Sequence, residues 1–470
     1  MATIPRRTKI VATLGPASTR PDCLRQIAET IDGARLNFSH GTHADHAETA
    51  RLIKEARADL GRPIALIADL QGPKLRVGDL NGGRVELERG AHVTIAGEDT
   101  ANGDDLPIAP AVLGSVLQAG NDVLIDDGAV RLRVERVERG RARCEVIVGG
   151  AVSSNKGVNL PGVALPIPSL TKKDIDDLQL ALELGCDYVA LSFVRSASDV
   201  QALKTLIEAS SSTAHVIAKI EKAEAVAVLD DILRYADAVM VARGDLGVEI
   251  GAAEVPLLQK RIILRALERG KPVITATQML ESMLHAPEPT RAEASDVANA
   301  ILDGTSAIML SGETAVGDYP AEAVAYMDRI ARAVEPSLDY RHEIPEADDQ
   351  PTIGQAMSNA ACDIAEALAA AALLVPTFTG KTASAVARLR PRRPILGLTH
   401  HEHSLHHMAL EWGVTPLHIP ECADVEELWQ TSIEAARTSG IVDPGDRVVL
   451  TAGTAVNIPG STNVIKVEIA

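Results

Sequence analysis

The stretch Val216-Ile217-Ala218-Lys219-Ile220-Glu221 decides how the rest of the chain is read. A β-branched, apolar run ending in charges at i and i+2 predicts a buried strand, and the two-residue period of a strand points both charged side chains to one face. A second run, Ala238-Val239-Met240-Val241-Ala242-Arg243-Gly244-Asp245-Leu246-Gly247, repeats the pattern: an apolar strand breaks into glycine-rich backbone and delivers Asp245. Glu221 and Asp245 together can hold a hard divalent cation while Lys219 places a mobile positive charge beside it, which is equipment for phosphate chemistry. Either stretch alone reads equally well as a strand end with solvated charges, so the choice depends on the surrounding sequence.

On both sides of 216–221, short apolar strands alternate with amphipathic helical stretches, the pattern of parallel βα units. Strands are expected over residues 9–14, 34–38, 64–69, 188–193, 216–221, 238–243, 272–277 and 306–311. Helices are expected over 171–184, 197–209, 225–235, 257–268, 292–302 and 321–333. Eight such strands predict a closed (β/α)8 TIM barrel, whose working groups sit at the C-terminal ends of the strands. Between the third and fourth strands, from about Lys74 to Gly162, the pattern changes to alternating polar and apolar residues split by glycine-rich turns. That alternation predicts a small β-barrel domain hung on the catalytic face as a lid. Residues 335–350 are polar and proline-containing, a linker signal. Beyond them, alternating helices and strands predict an open α/β domain. The expected organisation is a barrel built from residues 1–73 and 164–338, a lid over 74–163 and a C-terminal domain over 352–470.

A chain of 470 residues calls for two or three such bodies. Aromatic residues make up only 2%, so packing must rest on Ala, Val, Leu and Ile. A formal charge of -18 argues against nucleic acid or an anionic membrane as partner, and any phosphate ligand must be drawn by local cations. The five cysteines form no CxxC pair, which suits a reducing compartment. No apolar run is long enough to span a bilayer, and no apolar segment follows Arg6, Arg7 and Lys9 as a secretory leader requires. A cytoplasmic protein is expected.

The predicted strand exits carry Arg35, Asn37, Ser39 and His40, then Asp69, then Lys219 and Glu221, then Arg243, Gly244 and Asp245, then Thr277 and Gln278, then Ser311 and Glu313. Polar residues at nearly every exit of otherwise apolar strands converge on one rim.

With these residues in view, the chain resembles the pyruvate kinase family. The resemblance rests on Arg35-Leu-Asn-Phe-Ser-His-Gly41, Asp69-Leu-Gln-Gly-Pro-Lys-Leu-Arg76, Lys156-Gly-Val-Asn-Leu-Pro161, Lys219-Ile-Glu221, Val241-Ala-Arg-Gly-Asp-Leu-Gly-Val-Glu249, Ala276-Thr-Gln-Met-Leu-Glu-Ser282 and Met309-Leu-Ser-Gly-Glu-Thr314, and it runs over essentially the whole chain. It implies transfer of the phosphoryl group of phosphoenolpyruvate to ADP, giving ATP and pyruvate. Glu221 and Asp245 then match ligands of Mg²⁺, with Mn²⁺ as an alternative, and Lys219 matches the group that steadies the phosphoryl in flight. Arg35 and Arg76 match phosphate-binding arginines, and Lys156 matches a nucleotide contact. Gly244, Asp245 and Thr277 match the substrate-carboxylate pocket, and Thr277 and Ser311 match a water relay that protonates the enolate, with Glu313 a weaker candidate. The family is usually a homotetramer.

Two departures from the family pattern stand out. Members that need K⁺ carry Glu at the position of Lys74, and their ion sits with groups matching Asn37, Ser39, Asp69 and the Leu70 carbonyl. The tethered ammonium of Lys74 is expected to replace that ion and make K⁺ dispensable. Asn155 stands where some members have a second Lys before Lys156.

In the C-terminal domain, Thr377-Phe-Thr-Gly-Lys-Thr382 follows a strand and opens a helix, a geometry that favours anions. Val375 occupies the position of the first glycine of a P-loop, which excludes that motif. The matching loop in the family often binds the phosphate of an allosteric sugar, so Thr377, Thr379, Gly380, Lys381 and Thr382 are expected to hold a sugar phosphate or AMP, against the plainer reading of a helix cap. His400, His401, His403, His406 and His407 lack a zinc spacing and are expected in a solvated loop and helix start. Cys422 and Trp412 are read as lacking chemistry. Two rival functions remain at this point: a metal-dependent aldolase or lyase, and a sugar-phosphate-binding regulator on the same scaffold. The lid with Lys156 and Arg76 argues against the first, and the presence of Lys219, Glu221 and Asp245 against the second.

Overall fold

The structure, a computed structural model, describes residues 5–80, 82–103, 105–110, 116–338, 352–453 and 462–470. Eight parallel strands close into a barrel: Lys9–Thr13, Gly33–Asn37, Ala65–Asp69, Tyr188–Leu191, His215–Ile220, Ala238–Ala242, Val273–Ala276 and Ala307–Leu310. Lys9–Thr13 closes the ring by pairing with both neighbours, Val11 opposite Gly33 and Ile10 opposite Ile308. The strands are apolar along nearly their whole length because both faces are covered. One face packs on the helices outside and the other fills the barrel with side chains such as Val11, Ile67, Ile217, Met240 and Met309. Barrel helices begin on paired polar residues. Thr42 with Asp45, Thr171 with Asp174, and Thr290 with Glu293 form capping boxes that satisfy orphan N–H groups and fix where each helix leaves the rim.

After Asp69 the chain leaves the barrel and builds a second closed barrel of seven strands, running from Leu75–Val77 to Gly157–Asn159, with its own core around Val77, Ile95, Leu132 and Cys144. It returns through a seam held to the main barrel: Gly162 donates its N–H to Glu249 (3.2 Å), and Arg195 donates to the Leu165 and Ile167 carbonyls. The C-terminal unit is a five-stranded sheet in the order Val414–His418, Ile395–Thr399, Ala372–Pro376, Arg447–Gly453, Thr462–Ile469. Its last strand is antiparallel to its neighbour and the others are parallel, so the sheet is mixed.

Four local expectations are corrected. The helix expected over 225–235 is two shorter ones, Ala223–Ala227 and Leu229–Tyr235, because Val228 leaves the helical region (φ -114, ψ 28). Arg243-Gly244-Asp245 is not loose glycine-rich backbone but the start of helix Arg243–Ile250. Glu335 is no linker residue: its buried carboxylate accepts from the backbone N–H groups of Arg7 (2.9 Å) and Thr8 (2.7 Å), tying the end of the barrel to its beginning. The rest of the proposed linker from 339 onward lies outside the described residues. The histidine cluster is only partly solvated, since His406 and His407 are buried on helix Glu402–Met408. The apolar partner that draws them in is the barrel, which periodicity within one segment cannot reveal. Among the described residues, no helix is long and apolar enough to cross a membrane.

Candidate active site

Lys219 and Glu221 emerge together at the end of the fifth barrel strand, as the two-residue period requires. Lys219 Nζ lies 2.9 Å from Glu221 Oε1, 3.1 Å from Asp69 Oδ1 and 2.7 Å from Ser192 Oγ. Asp69 takes a second cation on its other oxygen, Arg35 Nε at 2.7 Å, and Arg35 Nη1 reaches Thr13 Oγ1 at 2.9 Å. All six charged or hydroxyl groups are nearly out of solvent, so the mutual charges of the ionisable ones set their protonation. Burial pulls the Lys219 ammonium down, but Asp69 and Glu221 more than offset it and hold the lysine above its ordinary range. Burial pushes Asp69 up, yet Arg35 and Lys219 prevail and keep its carboxyl below the usual value. Glu221 goes the other way: burial and then Asp245 raise it in spite of Lys219. That repulsion puts Asp245 beside Glu221, at the first turn of the helix that follows the sixth strand.

Glu221 Oε2 accepts the Phe193 N–H (2.7 Å), whereas Oε1, buried and close to the lysine, receives no well-aligned hydrogen bond. An acceptor left open beside a second carboxylate suits a hard cation. Among the described residues no group of three or more His, Cys, Asp or Glu side chains is placed to hold a metal, so an ion on this pair would draw further oxygens from other groups, substrate or water.

Thr277 and Gln278 follow the seventh strand in left-handed backbone, φ 72 and φ 52. For a β-branched threonine this conformation costs on the order of 1–3 kcal/mol and must be held by its surroundings. Arg243 holds it, donating to the Thr277 carbonyl at 2.7 Å while pairing with Asp296 at 2.8 Å. The Thr277 hydroxyl accepts the Gly244 N–H (2.8 Å) and donates to the Ala276 carbonyl (2.6 Å). Gly244, expected to offer its amide to a substrate carboxylate, therefore spends it on Thr277 here. Ser311 follows the eighth strand, and its N–H donates to Glu313 at 2.7 Å. Glu313 is fully buried and its other oxygen takes the Leu280 N–H at 3.0 Å. Both oxygens are engaged by backbone N–H groups, so in this structure Glu313 braces the rim.

Gly244, Asp245, Thr277 and Ser311 line one cleft of ≈1280 Å³ between lid and barrel, together with His40 and Lys74. Burial lowers His40, and Arg76, Lys74 and Arg35 lower it further, which gathers those three cations around one point. Three of the four oxygens expected to hold a monovalent cation already meet protein donors. Asn37 Oδ1 accepts the Ser39 N–H (3.2 Å), the Leu70 carbonyl accepts the Ser192 hydroxyl (2.7 Å), and Asp69 is doubly paired. In the lid, Lys156 pairs with Asp126 (2.9 Å) and Arg76 donates to the Asn155 carbonyl (3.0 Å). Thr377–Thr382 is not part of this assembly; it belongs to the C-terminal unit. Sequence reading missed Ser192, which joins Lys219, Asp69 and Leu70 just past the fourth strand, and Thr13, which meets Arg35 at the end of the first; no polar residue had been named at either exit.

A barrel whose C-terminal rim gathers buried cations around two carboxylates, beside an inserted β domain, is the build of a TIM-barrel phosphotransferase. The barrel-domain model of pyruvate kinase matches residues 5–324, and the family's alpha/beta-domain model matches 355–468. The chain is 46% identical to pyruvate kinase 2 of Synechocystis over 474 residues, covering 99% of this chain and 80% of that one. It is 45% identical to a pyruvate kinase of Agrobacterium vitis, covering 98% and 96%, and 45% identical to that of Corynebacterium glutamicum, covering 99% and 98%. The chain belongs to the pyruvate kinase family.

Proposed function

We propose that this enzyme moves the phosphoryl group of phosphoenolpyruvate to ADP, with Lys219 as the charge that steadies the group in transit. The observation that carries the reading is the Lys219 ammonium, kept protonated by Asp69 and Glu221 at 3.1 and 2.9 Å at the C-terminal end of the fifth barrel strand. Phosphoryl transfer needs alignment and charge neutralisation more than covalent help. A cation already desolvated and held in place requires no reorganisation as the phosphorus–oxygen bond of the donor breaks and the bond to ADP forms. Arg35 and Arg76 bind phosphate oxygens, and Lys156, released from Asp126, meets the nucleotide. Glu221 and Asp245 would hold Mg²⁺ or Mn²⁺, which when bound supplies divalent charge to the substrate and phosphoryl oxygens. The enolate left behind takes a proton at carbon from water positioned by Thr277 and Ser311, giving pyruvate.

Lys74 takes the role of a monovalent cation. The cations already on Asp69, Arg35 and Lys219, support this, since they lower the pull of that carboxylate on an added K⁺. The Thr377–Thr382 loop is assigned to an effector phosphate, with a homotetramer as the working assembly. Gly380 takes the cap position of helix Lys381–Arg388 at φ 83 with no side-chain cap, and Thr382 meets Thr462 at 2.9 Å.

The test is release of pyruvate from phosphoenolpyruvate and ADP, with and without Mg²⁺. Turnover that appears only with the divalent ion and ADP supports the reading. Phosphoenolpyruvate consumed without ADP, or no turnover with either Mg²⁺ or Mn²⁺, rejects it.

A further inference from the structure

Glu221 and Asp245 stand on separate elements, one just past the fifth barrel strand and the other in the first turn of helix Arg243–Ile250. Burial and then Asp245 raise Glu221, so the two carboxylates repel and something beyond their own contacts must set their separation. Their neighbours in the chain are placed to do so. Lys222 follows Glu221 directly, and Glu249 lies one helical turn beyond Asp245 on the same face. Lys222 Nζ lies 2.8 Å from Glu249 Oε2, and both side chains are buried.

Neither end of this pair is free to wander. The other Glu249 oxygen, Oε1, accepts the Gly162 N–H at 3.2 Å. Among the described residues Lys222 has Glu249 as its only ion-pair partner, while the neighbouring Arg195 is spent on the Leu165 and Ile167 carbonyls. A buried ion pair adds little net stability, because desolvation consumes most of its attraction. What it does fix is the distance between the two segments that carry it. The bridge therefore links the backbone under Glu221 to the backbone under Asp245 without touching either carboxylate.

We propose that Lys222 and Glu249 are positioning residues for the divalent cation: their bridge holds Glu221 and Asp245 at the separation that lets both reach one ion. Their role rests on the reading of Glu221 and Asp245 as its ligands given above. A bridge that sets spacing and a pair that acts through charge alone differ in sign. Through charge alone, loss of the Lys222 ammonium tightens cation binding and loss of the Glu249 carboxylate weakens it. Through spacing, loss of either weakens binding, and loss of both costs little more than loss of one, because the bridge is already broken.

The experiment is titration of the metal-free, full-length protein with Mn²⁺ alone, the free ion read by electron paramagnetic resonance, so that no turnover enters the measurement. Lys222→Met and Glu249→Gln should each weaken Mn²⁺ binding at least about tenfold, the low end for groups that hold metal ligands in place. The protein carrying both substitutions should bind about as the weaker single variant does. Glu249→Asp keeps the charge but is one methylene short of spanning Lys222 and Gly162, so it should weaken binding too; it carries the test if near-ultraviolet circular dichroism shows Lys222→Met unfolded. Glu221→Gln tests the ligand assignment itself and should also weaken binding. Tighter binding by Lys222→Met, or wild-type binding by Glu249→Asp, alongside a weakened Glu221→Gln, overturns the bridge and leaves the ligand assignment standing. Wild-type affinity in Glu221→Gln overturns the ligand assignment and the bridge with it.

Discussion

Lys219 Nζ stands 2.9 Å from Glu221 Oε1, two residues further on and just past the end of the strand, and both side chains are buried. Such a pair is held by geometry on both sides, since removing one partner leaves the other charge uncompensated. Lys219→Met should therefore lower kcat by at least about 10²–10³-fold, the scale of losing one preorganised charge, while KM for phosphoenolpyruvate changes far less. It should also cost about 3–5 kcal/mol of stability, because Asp69 and Glu221 lose their shared cation. Steady-state kinetics and urea unfolding check the two effects separately. A variant with near-normal kcat would remove Lys219 from the transfer step.

Potassium should be dispensable. Lys74 lines the cleft beside His40, and three of the four oxygens that would hold K⁺ already meet protein donors. Exchanging potassium for tetramethylammonium salts should leave the rate of the wild-type enzyme unchanged. Lys74→Glu should lower it at least about tenfold in tetramethylammonium, with K⁺ restoring activity, as expected when a tethered charge is replaced by a diffusible one. A wild-type rate that collapses without K⁺ refutes the idea.

Glu313 receives the N–H groups of Leu280 at 3.0 Å and Ser311 at 2.7 Å in a fully buried site. Glu313→Ala should cost about 2–5 kcal/mol by orphaning two buried donors. Glu313→Gln, which keeps one good acceptor, should cost less. Both should depress kcat more than KM, because Ser311 and the strained Thr277 loop lose their brace without losing a substrate contact. A proton-relay role would instead move the acid limb of the pH–rate profile, and that limb should stay in place.

The barrel was readable because its strands are apolar runs broken by polar exits, and the eight-strand count follows from local pattern alone. Lys219, Glu221 and Asp69 were readable for the same reason: charges at the end of an apolar strand have nowhere to go but the rim. Ser192 was not, because a single hydroxyl after Tyr188–Leu191 carries no charge to mark it. The two backbone amides that hold Glu313 were not readable, because a carboxylate looks the same in sequence whether its oxygens face solvent or the N–H groups of Leu280 and Ser311. Glu335 failed as a linker residue because its partners, Arg7 and Thr8, lie at the other end of the chain. The histidine cluster failed likewise, since what buries it is another domain.

That burial makes the join between barrel and C-terminal unit sensitive to acid. His407 stacks on His215 with ring centroids 3.6 Å apart and an interplanar angle of 13°, and its backbone carbonyl accepts the Tyr188 hydroxyl at 2.8 Å. Burial, aided by Arg57 for the first and His215 for the second, lowers both His406 and His407 to about 3. The fold accepts only the neutral rings, whereas the unfolded chain protonates them near pH 6.5. Stability is therefore complete above about pH 6.5 and is lost as pH falls toward the folded values, by up to about 1.4 kcal/mol per pH unit for each ring. The midpoint of urea unfolding should drop steadily between about pH 7 and about pH 5, and His407→Gln, which cannot titrate, should flatten the slope by about one proton. If the slope of His407→Gln equals that of wild type, the acid sensitivity lies in other groups and the stacked pair is only a packing contact.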